Sequence, residues 1–396
     1  MQCYRLQGLS HLKNYSISCV CGNRFNSCGL SLQFAFVFAR HCNCNDCIVD
    51  SRRIYMHVNG LVVLFLDSRG FGGIESHVFN LAKGLSANNV SVEIVFYQSY
   101  GKHVLFKELE DNNIPYRVLS GSLWSVVRYL YTRKPNLLHT HGYKAGILGR
   151  VLAKILKVSI VSTFHAGEPG TGKLKIYNLL DRFLSPLATC ISVSKNIDLT
   201  LPTKSVVINN FAIEPRGASR HCFARKRAKI AFVGRLSPEK GPDIFCQLAK
   251  QIPQHEFVLF GDGPMLPDLM RFSNYVTFKG HVQNMDEEWS DIDILCITSR
   301  YEGLPMVAVE AMLRGIPVIA FDVGNIKELI NNPDLGSVIR PSDIIAMKLA
   351  VLDWVKLPGN ILKERKLKII SHTKKKFSSS AVLPQILAVY DSALGE

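Results

Sequence analysis

The sequence contains no long hydrophobic run. Its longest apolar stretches, such as 61–66 and 316–321, have the length of a strand, whereas a membrane-spanning helix needs roughly 18 to 20 apolar residues. The chain of 396 residues is 47% hydrophobic and 20% charged, which is typical of globular proteins and leaves room for two domains. We therefore expect a protein that does not cross a bilayer by a helix.

Acidic residues are scarce relative to basic ones. The 32 aspartates and glutamates face 47 lysines and arginines, which gives a formal charge of +15 and favours an anionic partner. The basic residues are spread along the chain, and neither a recognition helix nor an aromatic RNA-binding stretch accompanies them. The composition therefore favours phosphates and lipid head groups, and we expect no nucleic-acid partner.

Cysteine is sparse after residue 55. Seven of the eleven cysteines precede that point, and their spacing forms no two matched C-x-x-C pairs, which disfavours a zinc site. The apolar run 30–39 starts late for a signal peptide and lacks a clear cleavage site. Met56 begins "MHVNGLVVLFLDSRGFGG", a typical start of an α/β domain, so we interpret 1–55 as a cysteine-rich extension outside the fold. The other four cysteines read as small buried side chains, namely Cys190, Cys222, Cys246 and Cys296.

Short β-rich runs alternate with helical periodicity after Met56, and this alternation restarts after a polar, basic segment at 214–228. Continuous apolar strands between helices predict parallel sheets covered on both faces. We predict two doubly wound α/β domains, 56–213 and 229–375, with 214–228 as linker and a C-terminal helix at 376–396 that packs back on the first domain. The predicted strands are 61–66, 90–97, 116–120, 137–140, 159–165, 190–194, 206–210, 229–234, 256–261, 275–280, 293–299 and 316–321.

Two glutamates bracket a predicted helix entrance in "RYEGLPMVAVEAMLRGIPVIA". Pro305 suits the first helical position, so the amides of Gly303 and Leu304 point into the crevice beyond the preceding strand. Glu302 lies beside this anion site, and Glu310 lies roughly 7–8 Å further along the helix axis. The arrangement suits a ligand with hydroxyl groups at both ends and phosphates between them, which is the layout of a nucleotide sugar.

The E-x7-E spacing of Glu302 and Glu310, with the sequence around it, resembles retaining GT-B glycosyltransferases of the family-4 type (glycosyl transferases group 1). Four other blocks resemble the same family in the same order, and the resemblance covers roughly 60–395. Chance could produce any one of these blocks, but their common order and their places at predicted strand ends favour the family. The blocks are "RGFGGIESHVFNLAKGL" (69–85), "STFHAG" (162–167), "FVGRLSPEKG" (232–241) and "LFGDGP" (259–264).

The resemblance implies a GT-B fold, in which two Rossmann-like domains face a central cleft, and transfer with retention of anomeric configuration. It implies no cofactor and no metal requirement. The chain departs from the family pattern at Phe211, where many relatives have glycine, and at Asn325 and Ile326, where a second glycine is common. The implied roles are catalytic for His165 and Glu302, diphosphate-binding for Arg235, Lys240, Gly303 and Leu304, ribose-binding for Glu310, and a loop near the reacting sugar for Gly72 and Gly73.

Several of these residues, taken singly, also have a purely structural interpretation. One of His139 and His141, which share a strand face, is expected simply to pack in the core, and His165 alone would more often do the same. The "DID" at 291–293 imitates a metal motif, but its place directly before a strand favours strand-edge sequence. Arg235 and Lys240 could form a solvated surface pair.

Other functions on the same architecture are a nucleotide-sugar epimerase and a non-catalytic subunit that binds a sugar nucleotide. A NAD dehydrogenase is disfavoured because the strand 90–97 ends without an acidic ribose ligand. We expect a nucleotide-sugar donor (UDP- or GDP-linked), a glycan or lipid-linked acceptor of cell-surface polysaccharide synthesis, and peripheral attachment to the anionic cytoplasmic face of a membrane. Basic residues recur on the helices of the first domain at Arg128, Arg133, Lys134, Lys144, Arg150, Lys154, Lys157, Lys173 and Lys175.

Overall fold

The computed structural model forms two compact units, Met1–Met56 and His57–Glu396. In the first unit, strands β1 (Ser16–Val20) and β2 (Phe25–Gly29) pair antiparallel. The side chains of the extension, its cysteines included, and most of the predicted linker lie outside the described residues. The structure describes 16–20, 25–29, 60–70, 72–101, 103–165, 172–215, 227–282 and 285–395.

The N-terminal domain of the second unit is built on a seven-stranded sheet of order β5-β4-β3-β6-β7-β8-β9, in which every pair is parallel. Five of the six residues of β3 are buried, as expected for a strand covered by helices on both faces. The strands are β3 (Leu61–Leu66), β4 (Ser91–Phe96), β5 (Tyr116–Val118), β6 (Leu137–His141), β7 (Ser159–Phe164), β8 (Thr189–Ser192) and β9 (Val206–Val207). The helices are α1 (Gly73–Ala87), α2 (Val104–Asp111), α3 (Leu123–Arg133), α4 (Tyr143–Leu156), α5 (Lys173–Phe183) and α6 (Lys195–Asp198), with a 3-10 turn at Ser185–Leu187.

The C-terminal domain contains a six-stranded parallel sheet of order β12-β11-β10-β13-β14-β15. Its strands are β10 (Lys229–Val233), β11 (Glu256–Phe260), β12 (Thr277–Gly280), β13 (Ile294–Ile297), β14 (Val318–Phe321) and β15 (Gly336–Ile339). Its helices are α7 (Pro242–Gln251), α8 (Leu266–Leu269), α9 (Met285–Trp289), α10 (Met306–Leu313), α11 (Ile326–Leu329), α12 (Ile344–Val355) and α13 (Gly359–Phe377), with a 3-10 turn at Met270–Phe272.

The last helix, α14 (Ser379–Gly395), packs against α1 and β7 of the N-terminal domain. The chain passes between the domains twice, and the two passages are bonded to each other. The N–H of Ala212 donates to the carbonyl of Phe377 at 3.1 Å, and the N–H of Ser379 donates to the carbonyl of Ala212 at 3.1 Å. These bonds fix the C-terminal segment where it crosses back.

Both sheets reverse their strand order once, between β3 and β6 and between β10 and β13. In parallel sheets ligands bind beyond the carboxyl ends of the strands at such switch points. The residues that follow β3, β6, β10 and β13 are therefore the first place to look for a site. Among the described residues, none of the helices is both long enough and apolar enough to cross a bilayer.

Candidate active site

Three histidines gather beyond the N-terminal sheet. His141 ends β6, His165 follows β7, and His77 lies in the first turns of α1. The Nδ1 of His141 is 3.1 Å from the Nε2 of His165, and the rings of His77 and His165 lie edge to face with centroids 4.8 Å apart. The switch point thus brings three imidazoles from separate elements into one cluster.

Burial sets the charge of this cluster. His77 and His141 are only 3% and 1% exposed, and burial lowers the pKa of His77 to about 4. Burial and then the neighbouring histidines hold the pKa values of His141 and His165 well below the usual value. All three rings are therefore neutral at pH 7, so they can form hydrogen bonds but supply no positive charge.

Some nitrogens of the cluster have no protein partner. Both ring nitrogens of His77 and the Nε2 of His141 are buried and lack a hydrogen bond. An unpaired buried polar atom costs free energy, so these atoms suit a polar ligand. Sequence reasoning missed His77; the signal was a histidine on the apolar face of a predicted helix, four residues after Gly73.

The cluster also raises the question of a metal ion. One nitrogen from each of His77, His141 and His165 can be chosen so that all lie within 4.8 Å of one another. Ligand nitrogens of tetrahedral zinc lie roughly 3.3 Å apart, given a bond length of about 2.0–2.1 Å. The three rings would have to move closer together to share an ion.

His139 belongs to the core instead. It is 0% exposed, and its two ring nitrogens lie 2.6 Å from the hydroxyl of Tyr390 and 2.7 Å from the hydroxyl of Thr163. Both nitrogens are thereby satisfied. Of the two histidines that share a face of β6, His139 packs and His141 joins the cluster.

On the C-terminal side, the loops after β10 and β13 bring Lys240 and Glu302 together. The Nζ of Lys240 lies 2.5 Å from the Oε1 of Glu302, which also accepts a 2.9 Å hydrogen bond from the hydroxyl of Ser299. The Glu302 side chain is 10% exposed and that of Lys240 is 33% exposed. Arg235 is exposed on the same loop as Lys240. A cation and a carboxylate thus stand side by side at the sheet edge.

Two glycine-rich blocks of the sequence form one unit here. A Cβ on Gly261 would lie 1.9 Å from the carbonyl oxygen of Gly234, and one on Gly263 would lie 2.5 Å from that of Leu236. The N–H of Leu236 donates to the carbonyl of Asp262 at 2.9 Å. Glycine is required because the "GDGP" turn packs directly on the backbone of the loop that carries Arg235.

The turn at Gly303 faces the other domain. A Cβ on Gly303 would lie 3.3 Å from the carbonyl oxygen of His165. The carbonyl of Gly303 accepts a 2.7 Å hydrogen bond from the N–H of Asn325, so the departure at Asn325 leaves a backbone contact that holds the turn. Among the described residues, the N–H groups of Gly303 and Leu304 donate no hydrogen bond. The cleft therefore brings Glu302, Gly303 and His165 into one neighbourhood.

Pro305 precedes the helix instead of beginning it. Its ψ of 112° is extended, and α10 starts at Met306, so the prediction of Pro305 as first helical residue was off by one. Gly315, with a φ of +78°, follows the end of this helix as expected.

Glu310 lies in the second turn of α10, the helix that packs against α1 across the cleft. Burial raises the pKa of its carboxyl group to about 7, while Arg314 lowers it and Asp286 and Glu108 raise it. Arg314 donates to the carbonyl oxygen of Glu310 at 2.8 Å and pairs with Asp286. The carboxyl group is therefore held partly neutral near pH 7.

The remaining predicted residues have clear places. Gly72 caps α1 in extended conformation, and a Cβ on Gly73 would meet nothing within 4 Å, so that side of the loop is open. Phe211 is fully buried with its ring 5.7 Å from that of His77, which places it behind the histidine cluster.

The "DID" segment lies at the amino-terminal end of β13, on the side of the C-terminal sheet away from the candidate site. Asp293 accepts a 2.8 Å hydrogen bond from the N–H of Lys229, whose ammonium group pairs with Asp291. The strand-edge interpretation is confirmed. The described late cysteines are free and buried, as predicted, at Cys190, Cys246 and Cys296.

Two family profiles match the chain. The one described as glycosyltransferase family 4 matches residues 71–198, and the one described as glycosyl transferases group 1 matches residues 227–356. The two matches fall on the two Rossmann-like domains, and each contains the candidate site residues of its domain.

Curated relatives and solved structures resemble the chain as well. It is 28% identical over 259 residues (56% of this chain, 67% of the relative) to the UDP-Gal:alpha-D-GlcNAc-diphosphoundecaprenol alpha-1,3-galactosyltransferase of Escherichia coli. It is 28% identical over 243 residues (58% of this chain, 70% of the relative) to the O-antigen biosynthesis glycosyltransferase WbnH of Escherichia coli. The structure of Anabaena Alr3699/HepE in complex with UDP-glucose matches with a TM-score of 0.73 at 19% identity, covering 84% of this chain and 100% of that chain. At that identity the structural likeness shows a common fold alone.

Proposed function

Because the chain is a glycosyltransferase of the group 1, family-4 type with the GT-B fold, we propose that it moves a sugar from a UDP- or GDP-linked donor to a glycan or lipid-linked acceptor, with retention of anomeric configuration. One observation carries the proposal. Lys240 pairs with Glu302, and the adjoining Gly303 lies against His165 of the other domain. Groups suited to a phosphate, a sugar and a reacting centre thus share one cleft.

The donor diphosphate lies at the C-terminal side in this proposal. Arg235 and Lys240 supply positive charge, and the N–H groups of Gly303 and Leu304 supply donors at the entrance of α10. Negative charge grows on the leaving phosphate as its bond to the sugar breaks, so these groups stabilise the transition state more than the ground state. This arrangement needs no divalent metal, and we propose that none is required.

The sugar lies between Glu302 and the histidine cluster. Glu302 accepts from sugar hydroxyl groups, His165 contacts the sugar near its reacting carbon, and Glu310 binds the ribose hydroxyl groups. The neutral state of His165 supports a hydrogen-bonding role beside a carbon that gains positive charge. The loop of Gly72 and Gly73 is open on the side of Gly73, which leaves space for the acceptor.

The reaction balances without an enzymic nucleophile. The bond between the anomeric carbon and the diphosphate oxygen breaks, and the acceptor oxygen bonds to that carbon from the same face. The proton of the acceptor hydroxyl group passes to the leaving phosphate. The protein contributes orientation and charge stabilisation.

Two relatives support the biological setting. One is named for a UDP-galactose donor and a diphosphoundecaprenol-linked acceptor, and the other for O-antigen biosynthesis. We extend this to the chain as cell-surface polysaccharide synthesis by a peripheral protein on the cytoplasmic face of a membrane. The formal charge of +15 supports attraction to anionic lipid.

A panel of UDP-, GDP- and ADP-sugars tests the proposal on the purified chain, by thermal shift and by donor turnover with and without acceptor. A donor that binds the folded state raises the melting temperature, and product appears only when acceptor is added. Conversion of the donor's own sugar without an acceptor identifies an epimerase. Binding without any turnover identifies a non-catalytic subunit.

A further inference from the structure

The helix α5 has its apolar side on the outside. Ile176, Leu179 and Phe183 are 68%, 70% and 72% exposed, and Leu180 between them is 41% exposed. Their spacing of three, four and seven residues puts them on one face of the helix. None of its described side chains is buried. In an ordinary surface helix such a face would be turned to the core.

One charged residue of α5, Asp181, is turned inward instead. Asp181 pairs with Arg150 of α4, whose side chain is only 1% exposed. A Cβ on Gly146 would lie 2.6 Å from a carboxylate oxygen of Asp181, so the two helices approach closely at this pair. Burying a paired charge is costly unless its geometry is well satisfied, so this ion pair fixes which face of α5 points outward.

The neighbouring helices extend this surface. Helix α4 packs against both α3 and α5, so the three form one layer. The six most exposed apolar side chains of these helices, which we call the outer helix surface, are Trp124 (74%), Tyr131 (70%), Ile155 (69%), Ile176, Leu179 and Phe183. Large apolar side chains exposed on three packed helices point to an interaction site.

The charge of the three helices indicates which kind of partner binds the outer helix surface. Helices α3, α4 and α5 contain eight lysines and arginines against one acidic residue, Asp181, which is already paired with Arg150. Two copies of this chain joined through the same surface would bring these cations face to face, which disfavours a symmetric dimer. Apolar side chains flanked by Lys154, Lys157 and Lys175 match an anionic bilayer surface.

The surface also lies beside the site. Tyr143 follows His141 by two residues, and its ring stacks on that of Tyr177 in α5 with centroids 5.7 Å apart. We propose that α5 inserts its exposed apolar face into an anionic membrane surface, which places the mouth of the cleft at the head groups of a lipid-linked acceptor. The link to the acceptor and the membrane setting rest on the proposed function, whereas the assignment of α5 as the contact rests on its own exposed apolar face.

Co-sedimentation of the full chain with vesicles tests the contact, using phosphatidylcholine alone and an equal mixture with phosphatidylglycerol. Replacing Ile176, Leu179 and Phe183 together by glutamine keeps the charge and should weaken partition to anionic vesicles by about 100-fold. The matched control replaces Ile345, Leu349 and Leu367, which are 69%, 55% and 63% exposed on the C-terminal domain, and should change partition less than twofold.

Three results overturn the inference: equal partition of both triple variants, binding that ignores phosphatidylglycerol, or a wild-type dimer that the α5 variant converts to monomer. The last would assign the surface to a second copy. Donor turnover of the α5 variant in detergent separates the two proposals. If the wild type bound vesicles but turned over no donor, the proposed sugar transfer would be contradicted and the membrane contact of α5 would not.

Discussion

The ammonium group of Lys240 lies 2.5 Å from the carboxylate of Glu302. The cation proposed for the diphosphate and the acceptor of sugar hydroxyl groups therefore neutralise each other before a donor binds. A bound donor, with its phosphate beside Lys240 and its hydroxyl groups beside Glu302, can take up both groups without leaving either charge unpaired. The pair thus holds the site ready at little electrostatic cost.

Lys240→Ala should lower donor turnover by roughly two to three orders of magnitude, since a transition-state donor of this kind is worth about 3–4 kcal/mol. The melting temperature should fall by only a few degrees, because an ion pair whose lysine is one-third exposed contributes about 1 kcal/mol or less. Lys250→Ala, an exposed lysine at the end of α7, is the control. Normal turnover in the Lys240 variant would remove the diphosphate role.

Glu310 should make the folded state less stable as pH rises. Its pKa is about 7 in the folded protein against an ordinary 4.5, so between these values the unfolded chain releases the proton and the folded protein keeps it. Glu310→Gln cannot titrate and should gain stability relative to wild type between pH 5 and pH 8, by roughly 3 kcal/mol at most. Denaturant unfolding of both proteins at pH 5 and pH 8 measures this difference in the free energy of unfolding. A constant difference would show that the carboxyl group is not buried.

His77 should act in the opposite direction. Its pKa of about 4, against an ordinary 6.5, means that the unfolded chain binds the proton first as pH falls. Wild type should therefore lose stability from pH 7 to pH 5, and His77→Phe should lose about 2 kcal/mol less over that interval. Unfolding curves at both pH values decide it; identical losses in the two proteins would contradict a buried neutral His77.

Removal of divalent metal should leave catalysis unchanged. In this account Arg235, Lys240 and backbone N–H groups stabilise the negative charge of the phosphate. The three histidines lie too far apart for a closed zinc site as they stand. Donor turnover after treatment with EDTA should stay within about twofold of the untreated value. Loss of turnover that zinc or magnesium restores would contradict it.

The sequence predicted much of this structure because parallel strands carry a strong signal. The predicted strand 61–66 coincides with β3, and the predicted strand 229–234 extends one residue beyond β10. The strand β15 was missed because "GSVI" is short and begins with glycine, which periodicity cannot distinguish from a loop.

Within the site, family motifs placed Glu302, Lys240 and Gly303 correctly at strand ends, since spacing along the chain fixes that. They could not reveal His77 or the pairing of Lys240 with Glu302, because both depend on how separate loops meet in space. The strand pattern left open which histidine of β6 packs, and the structure resolves it through the contacts of His139 with Thr163 and with Tyr390, far along the chain.

The most direct test of the account is steady-state kinetics of the donor on Glu302→Ala and Glu310→Ala, with Glu287→Ala as the exposed control. Ribose contacts change little between ground and transition states, so Glu310→Ala should mainly raise KM. Contacts to the transferred sugar tighten as charge develops, so Glu302→Ala should mainly lower kcat. Melting temperatures on the same samples separate lost affinity from lost folding. Normal kcat and KM in both folded variants would contradict the nucleotide-sugar site.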